Sequence, residues 1–486
     1  MLFELKRPKP ALPNSYFWTW DHSTNWILDN PGVVNFGCYN RYLKRPDTFV
    51  EDYEKLTDLA CGLGINGIVI WGFLRDSHGG VKNAKKVAEY AASRGVSIMP
   101  GVGTTWYGGP YYEGDHQYNL ENFLRKNPSA RAVGEDKWRS KDDYKEHAAC
   151  PTNPLFKEWI AEGINWLFRE FPIGGINLEN GDFLVCKCQR CKEIRDGWPS
   201  DEPEFFFQQS LGYGPVLEYA DKIEKEFGEK LITWATYTGF TPGKSSEDYD
   251  KTAYMNCDRP SVFDRLENQQ ITQWTLSGMI SQKPLPLTLY LDNGAPDEVF
   301  NNKRWPKNVI PPSQRSVGLI HQGSQWTENR YEQVISVIKE GCLRAYRAGL
   351  EGVSIHGELS SINVTAALNY LAFSHFIHWP EDTLRDFGKK TLGEIFENES
   401  EGEKFAEILA YWDANLLTYE HINETKEIWN KLVSCATLGS REKITDSLLY
   451  RIRFWYWLRS MVAKYDKNEK EFGFRRPQNR HVANFF

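Results

Sequence analysis

Residues 174–191 read Gly174-Gly-Ile-Asn-Leu-Glu179-Asn-Gly-Asp182-Phe-Leu-Val-Cys186-Lys-Cys188-Gln-Arg-Cys191. A short apolar strand runs straight into two carboxylates and then into three cysteines. The exit of a strand is where a parallel α/β barrel keeps its chemistry. Carboxylates held at such an exit give up part of their hydration, which is costly unless something is gained. This stretch therefore points to an α/β enzyme.

The rest of the chain extends that pattern in both directions. Apolar strands are predicted at 16–21, 66–72, 96–103, 174–180, 231–237, 271–277, 316–322 and 352–358. Helical periodicity lies between them at 48–62, 81–94, 154–171, 215–227 and 331–349. In 154–171 the apolar residues Leu155, Trp159, Ile160, Ile164, Leu167 and Phe168 recur at helical spacing, after Thr152 and Asn153 as a cap and Pro154 in the first turn. Eight strands with interleaved helices fit a closed (β/α)8 TIM barrel, with an open doubly wound sheet as the alternative. Long excursions follow strand 3 (about 104–150) and strand 6 (about 278–315), the end at which barrels grow binding loops. The domain reading is a barrel over 1–380, a helical C-terminal region over 381–472 and an irregular tail over 473–486.

Composition narrows the function classes. The 486 residues are 41% hydrophobic and 25% charged, as in an ordinary globular protein. A net charge of −7 argues against nucleic acid as a partner. No apolar run approaches the roughly 20 residues that cross a bilayer, so no membrane partner is expected. The N-terminus lacks the apolar core of a signal peptide, which predicts a cytoplasmic protein, or a periplasmic or secreted one if a leader was removed. The nine cysteines are odd in number and do not read as a disulfide framework. Oligomeric state is left open. The 18 Trp, 24 Tyr and 27 Phe are the unusual feature, because flat rings with one polar edge suit the apolar faces of sugars.

Several familiar motifs fail. Gly62-Leu-Gly64-Ile-Asn-Gly67 matches a dinucleotide fingerprint as text, but a helix precedes it and a strand follows, the reverse of what that motif needs. Its glycines read as a helix C-cap and a tight turn. No phosphate-binding loop and no HExxH pair is present, and Ser360 and Ser361 lack a nucleophile-elbow context.

Side chains alternate along a strand. Ile176 and Leu178 share the face toward the helices, which turns Asn177 and Glu179 into the barrel. In strand 8 the same logic sends Val353 and Ile355 outward, and Ser354, His356 and Glu358 inward. Two strands thus deliver a glutamate at one height. Paired carboxylates are the equipment of glycoside hydrolysis, one donating a proton to the leaving oxygen and the other serving as base or nucleophile. Strands 4 and 8 face each other across the ring, so a wide gap of roughly 6.5–9.5 Å, suited to inversion, is conceivable. Asp182 is the rival second carboxylate, through a local pair with Glu179 in which one group orients a substrate amide as internal nucleophile.

Further candidates gather at the same end. Trp20, Asp21 and His22 close strand 1, and Trp71, Arg75, Asp76 and His78 follow strand 2. Trp106, Tyr107, Tyr111, Tyr112, Glu113, Asp115 and His116 follow strand 3. Trp234 and Tyr237 belong to strand 5, His321, Gln322 and Trp326 to strand 7, and His356 to strand 8. Charged groups beside stacking rings would grip sugar hydroxyls or an acidic sugar's carboxylate.

Cys186, Cys188 and Cys191 are close enough in sequence to share one metal ion, and Cys150 should emerge at the same end to complete a four-thiolate structural zinc set. A disulfide with a spare thiol, or free thiols, are the alternatives. No cofactor is expected for catalysis itself.

The pattern Cys150-Pro-Thr-Asn-Pro154, a helix, then Gly175-Ile-Asn-Leu-Glu179-Asn-Gly-Asp182 and the following cysteines resembles bacterial barrel glycosidases. That group includes family 20-like β-hexosaminidases and α-glucuronidase-like proteins. The resemblance covers residues 16–420 in layout and 150–191 in motif. It implies a glycosidase with Glu179 as the acid. In family 20 enzymes an Asp stands directly before that Glu, whereas here Asn180 follows Glu179 and the nearest Asp is Asp182. The expectation is a glycoside hydrolase, exo-acting on a small oligosaccharide or glycoside. A non-catalytic carbohydrate-binding barrel and a metal-dependent hydrolase or lyase are the competitors.

Overall fold

The computed structural model describes residues 7–24, 45–134, 147–179, 186–197, 211–216, 219–236, 270–275, 315–320, 333–347, 352–360, 364–414 and 423. Strands β1 (Asn14–Trp20), β2 (Gly67–Trp71), β3 (Ser97–Gly103), β4 (Gly175–Glu179), β5 (Leu231–Thr236), β6 (Gln270–Thr275), β7 (Arg315–Ile320) and β8 (Gly352–His356) pair in chain order and close into a barrel. Every pairing is parallel, including the closure of β8 onto β1. All eight strands lie within a few residues of the sequence expectation, and the open doubly wound alternative falls.

Local chemistry sets the element boundaries. The helix Pro154–Glu170 starts as the sequence suggests, with the Asn153 side chain accepting from Leu155 N and Pro154 in the first turn. The helix Pro46–Leu63 stops at Gly64, whose φ of 71° is the left-handed C-cap conformation. The Gly62–Gly67 stretch is thus a helix exit leading into β2.

Alternation along the strands produces two cores. Outward residues Phe17, Ile68, Ile70, Ile98, Ile176, Leu178, Val353 and Ile355 join the faces of the surrounding helices, among them Phe49, Tyr53, Leu56, Val87, Ile160 and Ile164. Inward residues Tyr16, Trp18, Trp20, Val69, Trp71, Met99, Val317 and Leu319 form a second cluster inside the barrel. Full burial of such side chains contributes roughly 1.5–3 kcal/mol each. β3 makes room for the indoles by presenting glycine inward. A Cβ on Gly101 would stand 2.3 Å from the Trp71 ring, so only glycine fits there.

After β8 come the buried helix Val364–His378 and the helices Leu384–Phe387, Gly393–Phe396 and Glu399–Ala414. Gln333 Nε2 donates to the Leu409 carbonyl over 2.9 Å, which ties the last of these back to the barrel side. Among the described residues no helix is long and apolar enough to cross a membrane.

Candidate active site

Asn177 is the polar hub of the barrel interior. Its Oδ1 accepts the indole N–H of Trp18 at 3.3 Å and that of Trp71 at 3.1 Å. Its Nδ2 donates to Thr233 Oγ1 at 2.8 Å. The amide thereby satisfies two buried tryptophans that would otherwise carry unpaired donors. One step up the same face, Glu179 ends β4 beside Gly103 of β3 and is only 3% exposed. The Glu179 backbone carbonyl accepts from Thr104 N.

Glu358 lies just beyond β8 and is fully buried. Its Oε1 accepts from the backbone N–H of Trp20 at 3.0 Å. Gly357 N donates to the Trp18 carbonyl, so the β8–β1 ladder continues past the last paired strand residue into this glutamate. His356, also buried, packs edge-on against Trp18 at 5.0 Å. The two glutamates stand at the C-terminal ends of strands on opposite sides of the closed ring. Neither is turned out to bulk solvent.

A third carboxylate is withdrawn beside them. Asp21 is 1% exposed, with Oδ2 2.7 Å from Arg75 Nε and 3.1 Å from His78 Nε2, while His22 Nδ1 lies 3.4 Å from Oδ1. Burial alone would raise its pKa. Arg75, with hydrogen bonds from His22 and His78, outweighs burial and holds the carboxyl well below the usual carboxylate range. Asp21 is therefore a fixed anion. Its partner His78, one of the candidates the sequence places after strand 2, is packed flat on Phe49 and belongs to this site.

Arg75 carries the site across to the β3 excursion. Its guanidinium lies over the Tyr112 ring at 4.3 Å and pairs with Glu113, which is otherwise exposed. Burial pushes the Tyr112 phenol up to about 12, with Arg75 opposing and Asp21 and Glu179 reinforcing the shift. Tyr112 thus senses both Asp21 and Glu179. Tyr107 and Tyr112 pack edge-on against Trp20 at 6.0 and 6.1 Å, and Tyr107 also meets Trp71. Tyr107 has φ of 57°, a left-handed conformation that costs a non-glycine residue about 1 kcal/mol. Strain of this kind persists where surrounding contacts impose it, often at functional sites.

Asp76 serves the same excursion from outside. It is exposed, accepts from Tyr111 Oη, and accepts from Asp115 N at 2.8 Å. Trp106 is half-buried on the turn leaving β3. Asp182, Tyr237, His321, Gln322 and Trp326 lie outside the described residues, as does the side chain of Trp234. Asn177 is the functional neighbour that alternation does signal, since a polar residue on an inward barrel face needs partners.

No protein-family model matches the chain, and no curated protein matches it. Similar solved structures include a GH138 enzyme targeting pectin rhamnogalacturonan II, at 9% identity and TM-score 0.48, over 96% of this chain and 74% of that one. A β-N-acetylhexosaminidase from Bacteroides fragilis aligns at 12% identity and TM-score 0.44, over 80% of this chain and 71% of that one. The PgaB (BpsB) glycoside hydrolase domain from Bordetella bronchiseptica aligns at 10% identity and TM-score 0.45, over 75% of this chain and 98% of that one. These likenesses, at 9–12% identity and with TM-scores below 0.5, single out no family. What the site can do has to follow from its own residues.

Proposed function

We propose that the chain is a glycoside hydrolase that cleaves a glycosidic bond by paired carboxylate catalysis, with Glu179 and Glu358 as the pair. The observation that carries this reading is the withdrawal of both carboxylates from solvent at the C-terminal ends of facing strands, around one cluster of tryptophan and tyrosine rings.

The two environments divide the roles. Glu179 is buried, and its charge, like that of Asp21, acts on the Tyr112 phenol. Burial disfavours the charged form of a carboxyl, the condition that a proton donor needs. Glu179 then protonates the leaving glycosidic oxygen. Glu358 accepts a backbone N–H, which suits an anion, and acts as the base that activates water on the opposite face of the sugar. Opposite staves leave room for that wide, inverting arrangement. Asp182 is the alternative partner of Glu179.

The half-buried Trp106, Tyr107 and Tyr112 offer rings to the sugar, backed by the buried Trp20 and Trp71, and Arg75 and His22 offer donors to its hydroxyls. The β3 excursion is stitched to the β2 exit through Arg75–Glu113 and Asp76–Tyr111. Exo-action on the end of a small oligosaccharide or glycoside is part of this proposal.

The test is a screen of aryl glycosides, hexosaminides and uronides with wild type, Glu179→Gln and Glu358→Gln side by side. Wild type releases the aryl group from at least one class, and Glu179→Gln is slower by about 10²–10⁴-fold. Sugar binding without turnover of any substrate by wild type would replace this reading with a non-catalytic carbohydrate-binding barrel.

A further inference from the structure

Away from the carboxylates, the four cysteines Cys150, Cys186, Cys188 and Cys191 come together although the first is far from the others in sequence. Their sulfur atoms all lie within 4.8 Å of one another. Cys150 Sγ is 3.7 Å from Cys188 Sγ and 3.7 Å from Cys191 Sγ. A disulfide would bring two sulfurs to about 2.05 Å. Four sulfurs around one tetrahedral zinc, with bonds of about 2.3 Å, stand about 3.8 Å apart. We propose that these four cysteines hold one zinc ion, which staples the β3 excursion to the segment leaving β4.

Three independent features of the surroundings suit thiolates on a metal. The sulfurs are shielded: Cys150, Cys186 and Cys191 are buried, Cys188 is half-buried, and Ala132 packs on them. Donors point at them: Val133 N donates to Cys186 Sγ at 3.3 Å, and Thr152 Oγ1 stands 3.3 Å from both Cys150 and Cys191 sulfurs. Cations neighbour them in the sequence: Lys187, Arg190 and Lys192 alternate with the ligands, and Arg190 Nη1 is anchored on the Thr152 carbonyl at 2.8 Å. Four thiolates on a divalent ion leave two negative charges, for which a local excess of basic residues is suited. On binding, each thiol gives its proton to solvent and its sulfur lone pair to the metal, with no change of oxidation state.

The backbone shows what the ion would secure. Arg131 and Ala149 form an antiparallel bridge, with Cys150 N donating to Ala130 O and Ala132 N to Ala148 O. Lys187 N donates to the Val133 carbonyl, which joins this small ladder to the chain emerging after β4. Ala149 N donates to Thr105 O, beside Trp106. The knot therefore reaches from the turn after β3 to the segment after Glu179. Four-thiolate coordination leaves no open position, so the ion is structural. This assignment stands whether or not the barrel cleaves glycosides.

The experiment is metal analysis of the full chain, purified under reducing conditions without chelator, together with its intact mass. One zinc per chain is expected, with a mercurial thiol reagent releasing it in step with modification of the thiols. The double substitution Cys188→Ser, Cys191→Ser loses the zinc, while Cys342→Ser, a buried cysteine elsewhere in the fold, keeps it. Should the double variant fail to fold, cobalt exchange into wild type replaces it, and a thiolate-to-cobalt charge-transfer band is the expected signature. Three results would each overturn the proposal: iron in place of zinc, the mass deficit of a disulfide among these cysteines, or folded wild type that takes up no zinc when the metal is supplied in excess.

Discussion

Arg75 Nε lies 2.7 Å from Asp21 Oδ2, and both side chains are largely withdrawn from solvent. This buried ion pair joins the exit of β1 to the exit of β2. Removing one partner leaves the other charge stranded, at a cost of roughly 3–5 kcal/mol. Arg75→Ala should lower the urea midpoint accordingly, and Asp21→Asn should do so less, because an amide still accepts from Arg75. An Arg75→Ala protein as stable as wild type would show that the pair adds nothing.

The same pair makes a pH prediction. The folded-state pKa of Asp21 is lowered, so its stabilising contribution is complete above the ordinary carboxylate pKa of about 3.9. As pH falls below that, the unfolded chain takes up the proton first, and the contribution is lost by the time pH passes the depressed folded value. Thermal melting between pH 5 and pH 2 should therefore fall less steeply in Asp21→Asn than in wild type. Parallel curves would remove Asp21 from the acid response.

His378 gives a second, separate window. Burial, with Arg7 adding to it against the hydrogen bond to the Ser374 carbonyl, pushes this imidazole down to about 4. A lowered folded pKa means that the unfolded chain binds the proton first below about pH 6.5, so stability falls from there toward pH 4. Comparing wild type with His378→Gln over that range measures the effect. The variant, which keeps a donor for Ser374, should show the flatter curve, and an equal slope would count against it.

Asn177→Ala removes the acceptor for two indole N–H groups, each costing about 1–3 kcal/mol when left unpaired. A loss on the order of 2–5 kcal/mol in equilibrium unfolding is expected, together with a shift in tryptophan emission. A change below about 1 kcal/mol would mean that water or another group replaces the amide without penalty.

Gly101→Ala tests how tightly the inner wall is packed. The added methyl would meet the Trp71 ring at 2.3 Å, and overpacking of this kind costs roughly 1–3 kcal/mol. Displacing Trp71 should also raise KM for whichever glycoside the screen identifies, with a smaller effect on kcat. An unchanged KM would show that the displacement of Trp71 is not passed on to Tyr107, which packs on it.

Much of this molecule is legible in the chain because barrel construction is periodic. Ile176 and Leu178 alternate with Asn177 and Glu179, and Val353 and Ile355 with Ser354 and His356; those local patterns alone decided which faces meet the helices and which turn inward. The cap at Asn153–Pro154 and the C-cap at Gly64 are equally local, since they depend on one residue's backbone or side chain. Partnerships across the ring are another matter. That Asp21 is locked by Arg75 and His78, that Glu358 answers the Trp20 N–H, and that Asn177 bridges two tryptophans from other strands arise only when closure of the sheet brings distant segments within bonding distance. Alternation orients a side chain but says nothing about its neighbours in space. Those neighbours make Asp21 a fixed anion, so the electrostatics at the mouth of the barrel belong to the tertiary structure.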